Sequence, residues 1–243
     1  MNNKIVNSLW IDENIGPLQT MCYNSYAAND HEFHLYTYQK INNLPASVII
    51  RDANEIIDHT CIFKDIKSSY ATFSDWFRIK LLHEVGGWWV DSDTICLKKF
   101  DNEDDYAFAT EILDKDRTIA VCNAFIKLPK GSRIGERLLG KISEILENKS
   151  SSQIYWTEIG AGLLAEVINE YGMSEFLMSP HVFCPINYFD FKEIFQNENF
   201  KLTEDTYAVH LWNKMWEWSG TNLSKNGKKG TIFEWFQQNY LNK

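Results

Sequence analysis

Residues 74–93 read SDWFRIKLLHEVGGWWVDSD, and the fold is decided there. Phe73, Trp76, Phe77, Leu81 and Val85 recur at helical spacing, which predicts an amphipathic helix. Ser74 and Asp75 carry short polar side chains that accept from free backbone amides, so a helical turn is expected to start near them. Gly86-Gly87 breaks the helix, because glycine enters the left-handed cap conformation at little cost. Trp88-Trp89-Val90 is a short run of strand formers. It runs into Asp91-Ser92-Asp93, and side-chain alternation along an extended segment would put the two carboxylates on one side. Two acids facing one way repel unless a cation lies between them. An oxygen-only pair suits a hard ion such as Mg²⁺ or Mn²⁺.

This whole stretch resembles the core motif of glycosyltransferases that have the GT-A nucleotide-sugar-binding fold and an Asp-X-Asp metal motif. The likeness is to the sugar-binding-region family, glycosyltransferase family 32. That family includes capsular and O-antigen transferases, α-1,4-galactosyltransferases and yeast initiating mannosyltransferases; the clostridial glucosylating toxins are more distant. The motif is long and tightly spaced, hence far more specific than a bare Asp-X-Asp. The resemblance implies an α/β fold with a mainly parallel central sheet flanked by helices. It also implies a Mn²⁺ or Mg²⁺ cofactor, a nucleotide-sugar donor, a saccharide acceptor and an α-configured, retained product.

Bulk properties bound the alternatives. A chain of 243 residues fits one large domain, with residues 1–100 as a nucleotide-binding half and 101–243 as an acceptor half with a closing loop and helix. A formal charge of −9 argues against a nucleic-acid partner, which needs a basic surface. No run is apolar enough to span a membrane, and the opening MNNKIVNSLW lacks the apolar core of a signal peptide. A cytoplasmic protein is expected, at most touching the inner face of a membrane. Five scattered cysteines without a CxxC pair read as reduced thiols.

Residues 4–11 read as a first strand, Pro17 as the first turn of a helix to Ala28, and residues 33–38 as a second strand. A strand–helix–strand opening points to a parallel α/β sheet. Trp10 ends the first strand, followed by Ile11, and strand C-termini are where such sheets bind ligands. Trp10 is either a core tryptophan or, by the resemblance, the platform for the nucleotide base, with Ile11 beside it. Residues 48–50 form a third strand, RDANEI begins a helix without assigned chemistry, and residues 58–70 turn helical in their later half.

Asp75 and Arg78 lie three apart and share a helix face. They are a surface ion pair or, by the resemblance, contacts to the donor sugar and diphosphate, for which an Arg fork is suited. The resemblance further implies that Asp91 faces ribose and metal with Ser92 beside it, and that Asp93 holds the metal. Asn123, in NAFIKLPKGS, would head a strand and contact the donor sugar; the alternative is a strand-edge Asn. Residues 133–148 are an amphipathic helix. Residues 157–171 are a helix capped by Thr157, where the family's Gly-Pro is replaced by Gly160-Ala161; Thr157 or Glu158 would approach the acceptor. Residues 182–191 resemble the family's short strand and Pro-Ile turn. YAVHLW, 207–212, is a late strand whose His210 is either a structural histidine or a third metal ligand. Trp212, Trp216 and Trp218 would pack or close over the donor. Residues 221–230 read as mobile and 231–241 as an amphipathic helix, with Ile232, Trp235, Phe236 and Tyr240 on one side and Lys228-Lys229 before it.

The expected reaction moves a hexose or N-acetylhexosamine from a nucleotide sugar to a sugar hydroxyl of a lipid-linked O-antigen or capsule precursor. UDP-galactose and UDP-N-acetylhexosamines lead the donors, with GDP-mannose behind. A non-catalytic carbohydrate-binding protein would account for the tryptophans but not for the paired acids. DSDTI also resembles the DxDxT signature of haloacid-dehalogenase phosphatases, with Ile95 at the threonine position, although that motif normally opens the first core strand.

Overall fold

The computed structural model describes residues 3–155, 158–220 and 227–241. In chain order the strands and helices are β1 (Ile5–Trp10), α1 (Pro17–Ala28), β2 (Glu32–Thr37), β3 (Val48–Asp52), α2 (Ala71–Val85), β4 (Gly87–Val90), β5 (Thr94–Cys96), β6 (Ala107–Ile112), β7 (Ile119–Leu128), α3 (Arg133–Asn148), α4 (Ala161–Glu170), β8 (Leu177–Met178), α5 (Pro180–Phe183), α6 (Glu193–Gln196), β9 (Ala208–His210), α7 (Asn213–Ser219) and α8 (Ile232–Phe236). Seven strands form a mixed sheet in the order β3-β2-β1-β4-β7-β6-β8. β1 runs parallel to β2 and β4, and β2 to β3, as the strand–helix–strand opening predicts. β7 is antiparallel to both β4 and β6. A separate antiparallel pair, β5 with β9, sets Thr94 opposite His210.

Period-two alternation sorts the core. On β4, Trp88 packs with Phe183, Trp216 and Phe233 on one side of the sheet. Trp89 packs with Phe77, Leu138 and Leu164 on the other, against α2, α3 and α4. Both indoles are buried, so helices cover each face of this strand. Because β1 and β4 are parallel, Trp10 and Asp91 emerge at the same end of the sheet. No helix among the described residues is long and apolar enough to cross a membrane.

Several boundaries differ from the sequence expectation. Helix α2 starts at Ala71, so Ser74 and Asp75 lie inside it rather than at its start. Residues 62–70 are not helical: the Asp65 carboxylate accepts from the amides of Lys67 and Ser69 and from the Thr72 hydroxyl, which turns the chain into α2. Arg51 and Asp52 complete β3, and the Asp52 carboxylate caps a single 3-10 turn, Ala53–Glu55. The strand expected at 182–185 is absent; Pro180 opens a one-turn helix there, and the short strand is β8, which pairs with β6. Thr157 and residues 221–226 lie outside the described residues. The last helix is α-helical only to Phe236 and continues as a π turn. Its buried side chains include Phe233, Phe236 and Tyr240, while Trp235 is exposed.

Gly86 ends α2 with φ 73° and ψ −177°, and its amide donates to the Leu82 carbonyl at 2.9 Å. A Cβ there would sit 2.7 Å from the Lys130 amide nitrogen, in the turn joining β7 to α3. Position 86 therefore demands glycine twice, for conformation and for space. Gly86→Ala is expected to lower unfolding stability by about 2–4 kcal/mol, from backbone strain plus the clash, read as a lower urea midpoint at unchanged slope.

Candidate active site

Two ionic groupings stand side by side at the C-terminal end of β4. The first centres on Arg78, which reaches from α2 to the end of β4 and is 4% exposed. Its Nη2 lies 3.1 Å from Asp75 Oδ1 and 3.2 Å from Asp91 Oδ1. Its Nη1 donates to the Asn123 carbonyl. The guanidinium also lies over the Trp89 ring, 5.0 Å from its centroid. The Trp89 indole N–H donates to Asp91 Oδ1 at 2.8 Å, and the Asn123 amide donates to Asp75 Oδ1 at 2.8 Å.

Asn123 does not head a strand; it lies inside β7, where the register with β6 slips between Phe108 and Ala109. Phe108 faces Ile126 and Ala109 faces Cys122, so Asn123, Ala124 and Phe125 bulge away from β6. The bulge turns two carbonyls to the site: that of Asn123 accepts from Arg78, and that of Ala124 accepts from the Asp91 amide at 2.9 Å.

The second grouping is Asp93 with His210. His210 Nε2 lies 3.4 Å from Asp93 Oδ1, and Asp93 Oδ2 accepts from the Asn213 amide at 2.8 Å, at the start of α7. Asp91 and Asp93 are therefore not related by simple strand alternation. They sit in a turn, and each has its own cation, Arg78 for Asp91 and His210 for Asp93. Thr94 closes this turn by donating to the Asp91 carbonyl at 2.7 Å, while the Tyr26 hydroxyl donates to Thr94 at 2.7 Å. Thr94 is thus committed to holding the turn. Ser92 is half-buried at its tip.

The late strand ends at His210. Trp212 follows in the left-handed conformation, φ 57° and ψ 47°, as the N-cap of α7. Its ring lies on His210 with centroids 3.9 Å apart, and its indole N–H donates to the Ile186 carbonyl at 2.7 Å. Trp216 is buried in the core, whereas Trp218 is exposed. Trp10 is half-buried, its indole N–H donating to the Asn14 carbonyl at 3.1 Å, and the Ile11 carbonyl accepts from the Gln39 amide at 2.8 Å. Glu158 is engaged by Lys149 and by the Tyr155 amide, so its carboxylate is already committed to its own loop.

Burial governs the charges. It pushes the Asp75 carboxyl up to about 6 despite the opposing pull of Arg78. For Asp93 burial also acts upward, but the His210 charge and hydrogen bonds from His210 and the Asn213 amide outweigh it, and the net direction is down. Burial would discharge the His210 ring, yet Asp93 lifts it well above the ordinary imidazole range. Oxygens of Asp91 and Asp93 and a ring nitrogen of His210 all lie within 4.8 Å of one another. Two carboxylates and an imidazole suit Mn²⁺, which accepts nitrogen as well as oxygen, so this donor set fits a divalent cation.

Residues 9–212 match the family described as capsular polysaccharide synthesis protein. The chain belongs to that family. Every candidate site residue, from Trp10 to Trp212, falls within the matched span. The fold is that of glycosyltransferases: the solved structure of PaToxG glycosyltransferase superposes with a TM-score of 0.53 at 16% identity, covering 70% of each chain. The glycosyltransferase GlyE of Streptococcus pneumoniae TIGR4 gives 0.49 at 10% identity, covering 90% of this chain and 60% of that one. No curated protein matches.

Sequence reasoning missed Gly160. A Cβ at this position would lie 2.5 Å from Asp75 Oδ2 and 3.1 Å from the Asn123 amide nitrogen. The start of α4 therefore walls the Asp75 pocket, and only a residue without a side chain leaves it room. The signal was present as Gly160-Ala161 preceding a helix, but its neighbours are far away in sequence.

The Asp75 geometry makes a pH-dependent prediction. The folded carboxyl keeps its proton up to about 6, while the ordinary value is 3.8, so stability falls as pH rises through that window. Asp75→Asn removes the cost of burying the charge. It is expected to be more stable than wild type by about 1–3 kcal/mol near pH 7, a difference that vanishes below about pH 4, read by urea unfolding across pH. Gly160→Ala should displace the Asp75 carboxylate and shift its titration, read by NMR of that carboxyl across pH, with a small change in melting temperature, because the added methyl meets the tip of that side chain rather than the core.

Proposed function

We propose that the protein is a metal-dependent glycosyltransferase that moves a hexose or N-acetylhexosamine from a UDP-sugar to a hydroxyl of a capsule or O-antigen precursor. The observation that carries this reading is the contact between two functional groupings. The buried Asp75–Arg78–Asn123 network, built to meet hydroxyls and phosphate, joins the Asp91/Asp93/His210 donor set through Arg78 and Asp91. A carbohydrate-binding module has no need of this second grouping.

In this reading residues 1–100 bind the nucleotide and residues 101–243 supply Asn123, the acceptor side and the closing segment. Trp10 packs on the base and Ile11 lies beside it. Asp91 and Ser92 meet the ribose, and Asp93, Asp91 and His210 would hold Mn²⁺ or Mg²⁺. A bound cation of this kind neutralises the negative charge growing on the departing diphosphate. Arg78, engaged by Asp75, Asp91 and the Asn123 carbonyl, fixes these groups beneath the sugar and diphosphate, while Asp75 and Asn123 orient the sugar hydroxyls. Trp212 holds His210 in place and shields the donor from water. Retention proceeds by attack on the face that the diphosphate leaves, with a leaving-group oxygen taking the acceptor proton. The acceptor is a saccharide, lipid-linked, reached with at most peripheral membrane contact from the cytoplasmic side.

A panel of UDP-galactose, UDP-N-acetylhexosamines and GDP-mannose, scored for Mn²⁺-dependent hydrolysis, tests the reaction. One UDP-sugar should be cleaved in preference to the rest, and no cleavage of any would reject the proposal. Asp93→Asn should reduce turnover by about a thousandfold or more, since it removes a direct anchor of the cation. His210→Ala should raise the Mn²⁺ concentration for half-maximal activity by about 10–100-fold. An unchanged Mn²⁺ requirement would remove His210 from the ligand set.

A further inference from the structure

His210 has two ring nitrogens, and only one faces the acids. Nδ1 is buried with no hydrogen-bond partner. Two thiols meet it there: Cys122 from β7, at the edge of the bulge, and Cys184, the residue that caps α5. Both are free and buried. One sulfur from each and one His210 ring nitrogen lie within 4.8 Å of one another. The neighbouring Cys184 and burial push the Cys122 thiol up, and no hydrogen bond satisfies His210 Nδ1. A buried imidazole nitrogen with no partner costs free energy, and this ring lies beside two soft donors.

We propose that Cys122, Cys184 and His210 Nδ1 form a second metal site, selective for a thiophilic divalent cation such as Zn²⁺ or Cd²⁺. Two sulfurs and one imidazole nitrogen are a soft donor set, unlike the oxygen-rich set around Asp91 and Asp93. The three ligands come from β7, α5 and β9, so the surrounding fold holds them in place before the ion arrives. On coordination each thiol gives up its proton to solvent and the imidazolium gives up the one on Nδ1, so three protons leave for each ion bound.

The imidazole is shared, and this sets a regulatory consequence. A neutral ring that coordinates through Nδ1 carries its proton on Nε2, the nitrogen facing Asp93. Nε2 then donates to Asp93 and is lost as a ligand for the hard cation. Zn²⁺ at the thiols therefore antagonises Mn²⁺ at the acids. This second step rests on the functional reading above; the thiol site itself does not.

The test uses the full chain carrying Cys61→Ser, because Cys61 is the exposed thiol and would bind soft metals adventitiously. Cd²⁺ titration should raise a thiolate charge-transfer band in the ultraviolet that saturates at about one equivalent. Cys122→Ala and Cys184→Ala, each in that background, should weaken binding at least about tenfold, while Asp91→Asn leaves it unchanged. X-ray absorption of the Zn²⁺-loaded protein should show sulfur scatterers at about 2.3 Å and nitrogen at about 2.0–2.1 Å, a readout independent of whether a variant folds. No band, an oxygen-only shell, or equal binding by the cysteine variants overturns the site. One equivalent of Zn²⁺ should also raise the half-saturating Mn²⁺ concentration, and an unmoved Mn²⁺ requirement overturns the antagonism. A Cd²⁺ band in a protein that cleaves no nucleotide sugar would leave the thiol site standing and reject only the glycosyltransferase reading.

Discussion

A single buried guanidinium holds this cleft together. Arg78 reaches Asp75 on its own helix, Asp91 at the end of β4 and the Asn123 carbonyl in the β7 bulge. It ties a helix and two antiparallel strands through one planar group. Lysine could not replace it, because a point charge on a flexible stem does not span three acceptors in fixed directions. Removing the guanidinium would strand Asp75 without its cation in the interior, a loss of the order of 3–5 kcal/mol for a buried pair. Trp89 reinforces the arrangement from below, its ring under the guanidinium and its N–H on Asp91.

The same arrangement carries a cost at neutral pH. Asp75 is only 7% exposed, and burial lifts its carboxyl even with Arg78 alongside. A helix that merely packed against the sheet would be better served by an apolar residue there. Buried polar groups kept at a stability cost are common where a site must be built in advance. Gly160 shows the same logic: its missing side chain leaves room for Asp75 Oδ2.

The C-terminal segment is coupled to the acidic turn by the small β5–β9 sheet. Its ladder places His210 opposite Thr94, and the Leu211 amide donates to the Asp93 carbonyl at 2.9 Å. Asp93 in turn satisfies the Asn213 amide at the start of α7. His210 is thereby positioned between the acids on one side and Cys122 and Cys184 on the other, so one ring reads two chemically different surroundings.

The amino-acid sequence by itself determined the parts whose causes are local. The parallel opening, the span of α1 from Pro17 to Ala28, the span of α3 from Arg133 to Asn148, the break at Gly86 and the strand of Trp88-Trp89-Val90 all follow from side-chain periodicity and from glycine and proline backbone limits. The two acids and the histidine were legible as candidates, because their residue types carry the chemistry wherever they stand. The partners of those residues were decided only by tertiary structure. The start of α2 depends on Asp65 and Thr72, the position of Asn123 on a register slip against β6, and the room for Asp75 on Gly160, some 85 positions onward. The meeting of Cys122, Cys184 and His210 is of the same kind. Periodicity reports which face of an element is apolar, but pairing register and close approach are set by the packing of distant elements, and no local window contains both members of such a pair.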